Sequence, residues 1–203
     1  MANILITGAG SGLGRGAALG LAHAGHHVIA SCEIWSQVRD LRSDAQRQGV
    51  DLDVIKLDVT DDIDRTHAFG YDVDILVLNA GVQEAGSVVE IPMARIRRSF
   101  EINVFGHVQL VQGFAPQMLN RDSELGPRGI RVGTTNPGPY RTGYNDTGAE
   151  AMFQWWSDET ALLERPDFSD YLANQYDPQE MIDAMVRTIP ADHHAYRTVR
   201  PEV

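Results

Sequence analysis

The sequence predicts an α/β protein built as a doubly wound parallel sheet with helices on both faces, and three observations carry that prediction. Short apolar runs of strand length alternate with helical patterns along the chain. The runs are continuously apolar, as strands covered on both faces require. The first of them, Ile4-Leu5-Ile6, breaks into glycine at Gly8, Gly10, Gly12 and Gly14 before Ala17, Ala18, Leu19, Leu21 and Ala22 set a helical pattern. A glycine turn between strand and helix lets the backbone approach a pyrophosphate, and the helix directs its free N–H groups and positive dipole end at the anion. The ligand this predicts is a dinucleotide.

The 203 residues suit one domain, 1–203, with a full hydrophobic core. A net charge of −11 argues against nucleic acid or an anionic membrane as partner, since both are negative themselves. Cys32 is the only cysteine, so neither an intramolecular disulfide nor a thiolate metal cluster is expected. His193-His194 lacks the spaced partners of a zinc site and reads as a surface turn, leaving no metal site predicted. The N-terminus has no charged leader and no apolar run reaches membrane-spanning length, so the expectation is a cytoplasmic protein.

The glycine spacing fits neither G-x-G-x-x-G nor the G-x-x-x-x-G-K of ATP sites. It fits Thr7-Gly8-x-x-x-Gly12-x-Gly14, and in this the chain resembles the short-chain dehydrogenase/reductase family, whose Rossmann-type cofactor turn has that spacing. Four further segments extend the resemblance. Asp58-Val59 ends a third strand, where the family's aspartate contacts the adenine amino group. Asn79-Ala80-Gly81 ends a fourth, beside the cofactor ribose, with Asn79 also pinning the central strand. Ile102-Asn103-Val-Phe-Gly106 lies within a helix from about Pro92 to Met118, whose Met93, Ile96, Phe100, Val104, Val108, Val111 and Met118 share one face. Ile130 to Pro137 reads as a strand into Pro137-Gly138, with Thr142 beyond, the family's clamp on the nicotinamide.

The resemblance implies an oxidoreductase moving hydride between a nicotinamide cofactor and a secondary alcohol, ketone or aldehyde of a small, apolar substrate. It implies a cofactor site of Gly8, Gly10, Ser11, Gly12, Leu13, Gly14, Glu33, Asp58, Val59, Asn79, Ala80, Gly81, Pro137, Gly138 and Thr142. Asn103 would hold a water in a proton relay, or serve structure alone. An acid about 20 residues past the glycines receives the adenosine ribose hydroxyls. Glu33 is the candidate, one place later than the family's usual position, which Cys32 fills; a solvated glutamate capping the next helix is the other reading. Glu33 would repel a 2′-phosphate and residues 28–38 hold no Lys or Arg, so NAD(H) is expected over NADP(H). Arg141 faces either a phosphate or solvent.

Residues 143–177 show little regular pattern, and Met152, Phe153, Trp155 and Trp156 cluster where the family places its substrate lid, which suits an apolar substrate or ordinary packing. Asp177-Pro178 starts a last helix, with a last strand at Ala195 to Val199. The family also implies a homo-oligomer.

One part of the family pattern does not follow. Between Leu119 and Ser123 the sequence passes straight over the place of a fifth strand with a catalytic serine and a helix with Tyr-x-x-x-Lys; Lys56 is the sole lysine. Deleting a central strand leaves its neighbours' backbone groups unpaired, so the expectation is a further segment of several tens of residues near 120–122 that holds serine, tyrosine and lysine. Without it, the chain is a dinucleotide-binding sensor or partner subunit that does no chemistry.

Overall fold

A computed structural model describes residues 1–121, 130–193 and 195–201. Strands β1 (Asn3–Ile6), β2 (His27–Cys32), β3 (Asp53–Lys56) and β4 (Ile75–Val77) form an all-parallel sheet in the order β3-β2-β1-β4. Helices α1 (Gly12–His23), α2 (Trp35–Gln48) and α3 (Asp62–Ala68) cross between them. Beyond β4 come α4 (Met93–Phe100), a π-helical stretch Glu101–Gly106 and α5 (His107–Arg121). Strand β5 (Thr134–Pro137), helices α6 (Tyr144–Phe153), α7 (Ser169–Ala173) and α8 (Gln179–Thr188), and strand β6 (Arg197–Arg200) complete the chain.

The sheet is buried on both faces, as its apolar runs require. Ile4, Ile6, Val28 and Ala30 pack with α1, α2 and α8, while Leu5, Ile29 and Ile55 pack with Ala68, Leu110 and Phe114 on the other side. Helix α2 ends on Gly49 in the left-handed conformation, and α3 starts on Asp61, whose carboxylate accepts from the N–H groups of Ile63 and Asp64, both at 2.9 Å. Helices α1 and α8 meet over small residues: a Cβ on Gly16 would lie 2.3 Å from Ile182 Cδ1, and one on Gly20 2.6 Å from Val186 Cγ2. Glycine is what allows the two helices their separation.

Four expectations need correction. The apolar stripe on the helix after Pro92 is not its core face: Met93, Phe100, Val104, Val108 and Val111 are exposed, and Ile102, Leu110 and Phe114 are buried instead. Ile102, Leu110 and Phe114 pack with Leu5, Ile29 and Ile55, and among the described residues no layer covers the opposite side of the helix. Asn103, expected on a buried face, is likewise exposed. Ile130 and Val132 precede the strand instead of belonging to it, and Ala195 precedes β6. Residues 143–177, expected to be irregular, hold α6 and α7; α6 is built on Ala149, Ala151 and Met152, an inward face too short and too interrupted by glycine to show as a period.

Strands β5 and β6 pair with each other in parallel and form a second, separate sheet. Among the described residues, the outer edges of β4 and β5 have no ladder partner, which is where a strand between them would lie. The expected additional segment begins at 120–122, and Asp122 to Gly129 lie outside the described residues, as does His194.

Replacing Gly16 with Val forces α1 and α8 apart. Overpacking of this kind costs about 1 to 3 kcal/mol, read as a lower urea midpoint at unchanged slope. Adding Ile182→Ala to the same protein should recover part of the loss.

Candidate functional site: a cavity at the carboxyl edge of the sheet

The carboxyl ends of β1 and β4 are tied by one threonine. The Thr7 hydroxyl oxygen accepts from the backbone N–H groups of Asn79 (2.9 Å) and Ala80 (3.0 Å), and donates to the Val77 carbonyl at 3.4 Å. In return the Asn79 amide nitrogen donates to the Thr7 and Gly8 carbonyls at 2.9 and 3.2 Å. Thr7 is fully buried, so these bonds have no water to replace them.

This knot sets two glycine turns against each other. A Cβ on Gly8, where φ is +67°, would lie 2.7 Å from Ala80 Cα; one on Gly14 would lie 2.3 Å from Asn79 Nδ2. Gly12, with φ +55°, faces Thr142, whose Cβ is 3.2 Å from where its own would be. At these glycines a side chain would collide with the protein's own atoms, so bare backbone borders the cradle that opens at the N-terminus of α1, as a pyrophosphate needs.

A cavity of about 1240 Å³ extends from this cradle, larger than the ~300–1,000 Å³ of a pocket for one small ligand. Gly8, Gly10, Ser11, Gly12, Leu13, Gly14, Glu33, Asp58, Val59, Asn79, Ala80, Gly81, Asn103, Pro137, Gly138 and Thr142, every site residue expected from the sequence, line it. Cys32 does not: it is fully buried in β2, and burial pushes its thiol up to about 11. Glu33, exposed and just past the end of β2, lines the cavity, as does Gln37, and no side-chain bond caps α2. Asp58 is held by its own turn, its carboxylate accepting from Thr60 N–H at 2.9 Å and the Thr60 hydroxyl at 2.7 Å. Arg141 is exposed and does not line the cavity.

Asn103 sits in the π-helical stretch. Its carboxamide brackets Val82, accepting from that residue's N–H at 2.9 Å and donating to its carbonyl at 2.8 Å. It therefore clamps the loop after Gly81. Three residues later Gly106 runs against the Val59 carbonyl, 2.7 Å from where a Cβ would be, which brings this helix onto the end of β3.

Among the cavity residues that sequence reasoning missed are His107 and Tyr144. His107 lies one turn past Asn103, with Nε2 buried and without a partner. Burial pulls its imidazole below the ordinary value, opposed by a hydrogen bond to the Ala80 backbone. Its spacing of four from Asn103 was the available signal. Tyr144, at the start of α6, brings its hydroxyl oxygen 3.7 Å from a Cβ placed on Gly81, and burial raises its pKa, so it is a proton-bearing donor at neutral pH. No clue in the 143–177 pattern singled it out. Among the described residues there is no cluster of three or more His, Cys, Asp or Glu suited to a metal, and no helix is long and apolar enough to cross a membrane.

The parallel sheet, the crevice at its carboxyl edge and the paired glycine turns define a dinucleotide-binding α/β protein. The chain belongs to the short-chain dehydrogenase family, whose model matches residues 2–124. An uncharacterized oxidoreductase of Myxococcus xanthus (strain DK1622) is 36% identical over 143 residues, 68% of this chain and 54% of that protein. The 7alpha-hydroxysteroid dehydrogenase of Escherichia coli (strain K12) is 32% identical over 120 residues, 56% of this chain and 47% of its own length. The chain thus spans about half the length of these curated relatives. A short-chain dehydrogenase from Sphingobium yanoikuyae, solved in complex with NADPH, superposes with a TM-score of 0.75 at 20% identity, over 99% of this chain and 88% of that one; the fold is shared.

Two outcomes test this geometry. Thr7→Val keeps shape but orphans two buried N–H groups at about 1 to 3 kcal/mol each, so its thermal midpoint should fall well below that of the wild type. The His107 pKa is lower folded than unfolded, where it is about 6.5. Its contribution is then complete above that value and declines as pH falls through it. Between about pH 7 and pH 5, His107→Gln should lose less stability than wild type in parallel denaturant titrations; equal losses would mean that the ring is not buried in solution.

Proposed function

We propose that the protein is an NAD(H)-dependent oxidoreductase acting on a secondary alcohol or its ketone, or on an aldehyde, and the observation that carries this reading is the glycine cradle opening on α1. The nicotinamide, when bound, supplies the hydride acceptor or donor. The chain's own share is orientation and electrostatics. The N-terminus of α1 holds the pyrophosphate, Glu33 receives the adenosine ribose hydroxyls, Asp58 and Val59 border the adenine, and Thr142 with Pro137-Gly138 covers the nicotinamide end. Asn103 fixes the loop that begins at Gly81, and so acts as a positioning residue through Val82.

Preference for NAD(H) over NADP(H) rests on charge. Glu33 would repel a 2′-phosphate; Arg15 is ion-paired to Asp44, and neither Arg15 nor Arg39 lines the cavity. The exposed apolar stripe Met93, Phe100, Val104, Val108 and Val111 suits association of copies into a homo-oligomer, and the net charge of −11 speaks against nucleic-acid or anionic-membrane partners.

A second reading, dinucleotide binding without turnover, has its own observation. Lys56, the only lysine, has Leu52 four places before it, so no Tyr-x-x-x-Lys pair exists in this sequence, and it is paired with Asp64 at the end of β3, away from the cavity lining. The first reading therefore requires the additional segment expected next to residues 120–122, which would supply serine, tyrosine and lysine and fill the gap between β4 and β5.

Three measurements decide. Quenching of tryptophan fluorescence should show NADH binding more tightly than NADPH, and the reverse order would overturn the Glu33 assignment. Gly12→Val should abolish that binding, because φ +55° and Thr142 leave no place for a branched side chain. An intact mass above 22.4 kDa with turnover of a ketone panel supports the oxidoreductase; a mass equal to it, with binding and no turnover, supports the second reading.

A further inference from the structure

The two ends of the cavity differ. Toward α6, the aromatic cluster expected as an apolar cover packs elsewhere: Met152 is fully buried in the core, Phe153 lies under the Arg165 guanidinium at 4.3 Å, the Trp156 indole donates to Asp158 at 2.9 Å, and neither these three nor Trp155 lines the cavity. Toward Glu33, a side chain that the sequence pattern does not single out reaches from α2 to the glycine turn.

Gln37 is the third residue of α2 and lines the cavity together with Glu33, four places before it. Its neighbour Val38 is fully buried in the core, which seats this turn of the helix. A Cβ on Gly10 would lie 2.6 Å from Gln37 Cδ, 2.7 Å from its Oε1 and 3.0 Å from its Cβ, so the side chain lies along the turn over most of its length. Unlike Gly8 and Gly12, Gly10 has no positive φ. Its backbone therefore does not call for glycine; the space taken by Gln37 does. Gln37 is half-buried, and its carboxamide has no hydrogen-bond partner among the described residues and is not sealed from solvent.

We propose that Gln37 is a cofactor-specificity residue that works beside Glu33: its carboxamide bonds the adenosine ribose, and its stem over Gly10 fills room that a 2′-phosphate would take. The proposal rests on the dinucleotide reading above, with or without turnover. A ribose hydroxyl both donates and accepts, whereas the Glu33 carboxylate only accepts. Gln37 adds a donor and a second acceptor, and the pair then suits two vicinal hydroxyls. A 2′-phosphate would meet the Glu33 charge and the Gln37 oxygen, with one amide donor in exchange. Helix α2 has no side-chain cap and no acid in its first turn, so its free N–H groups by themselves favour a phosphate. Glu33, just before the N-cap, and Gln37, in the first turn, are what oppose one.

Calorimetric titration of NADH and NADPH into wild type, Gln37→Leu and Gln37→Ala separates bond from bulk. Loss of the bond should raise the NADH Kd about three- to tenfold in both variants, with the thermal midpoint of the unliganded protein unchanged or higher. Only Gln37→Ala clears the room over Gly10, so the ratio of NADPH to NADH Kd should fall in both variants and fall further in this one. Gly10→Ala should displace Gln37 and reproduce the loss of NADH affinity, and should cost nothing further when added to Gln37→Ala; equal costs in the two backgrounds would overturn the proposal. An unchanged NADH Kd, or a common factor on both Kd values, also overturns it and leaves the dinucleotide site standing. A wild type that prefers NADPH removes this proposal and the Glu33 assignment together, and one that binds neither dinucleotide removes the reading on which both rest.

Discussion

Thr7 holds the carboxyl ends of β1 and β4 in register, and every other feature of the cavity is placed relative to it. Its hydroxyl takes two backbone N–H groups that would otherwise be buried and unpaired, so the second glycine turn has one position relative to the first. The Asn79 amide locks the same junction from the other side. With both turns fixed, Gly8 and Gly14 have no space for a side chain, and the backbone itself forms the floor on which a pyrophosphate would rest. A rigid floor of this kind costs a ligand little ordering on binding.

A second line of contacts runs from this floor along the helix after β4. Gly106 meets the Val59 carbonyl, Asn103 holds Val82, and His107 lies along the Ala80 backbone. The ends of β3 and β4 are therefore both referred to one helix, at its π-helical stretch. A π turn carries one more residue than an α turn, which lets Gly106 and Asn103 face different strands within a few residues.

Much of this was legible because it is local. The glycine turn, Asp58, Asn79 to Gly81 and the Asp177 start of α8, where the carboxylate accepts from Gln179 N–H at 2.8 Å, all declare themselves within a few residues. What sequence left open depends on layers. The stripe from Met93 to Val111 has a correct helical period, yet period says nothing of which side meets the sheet, and at the outer strand the apolar residues divide between core and surface. The inward face of α6 escaped because Gly148, Ala149 and Ala151 are small, and small residues carry a weak hydrophobic period. Residues His107, Gln37 and Tyr144 became visible only when separate elements met around one cavity.

The contact between α1 and α8 has a mechanical meaning. Helix α1 carries the cradle at its N-terminus, and along its length it rests through Gly16 and Gly20 on a helix from the opposite end of the chain, which also contacts β6. With no ladder joining β4 to β5 among the described residues, this glycine seam is a principal joint between the two sheets. Gly16 and Gly20 put backbone almost against side chain, leaving little slack. A small rotation of the β5–β6 unit would therefore act on α1 as a lever acts on its pivot, and would tilt the anion-facing end of the helix.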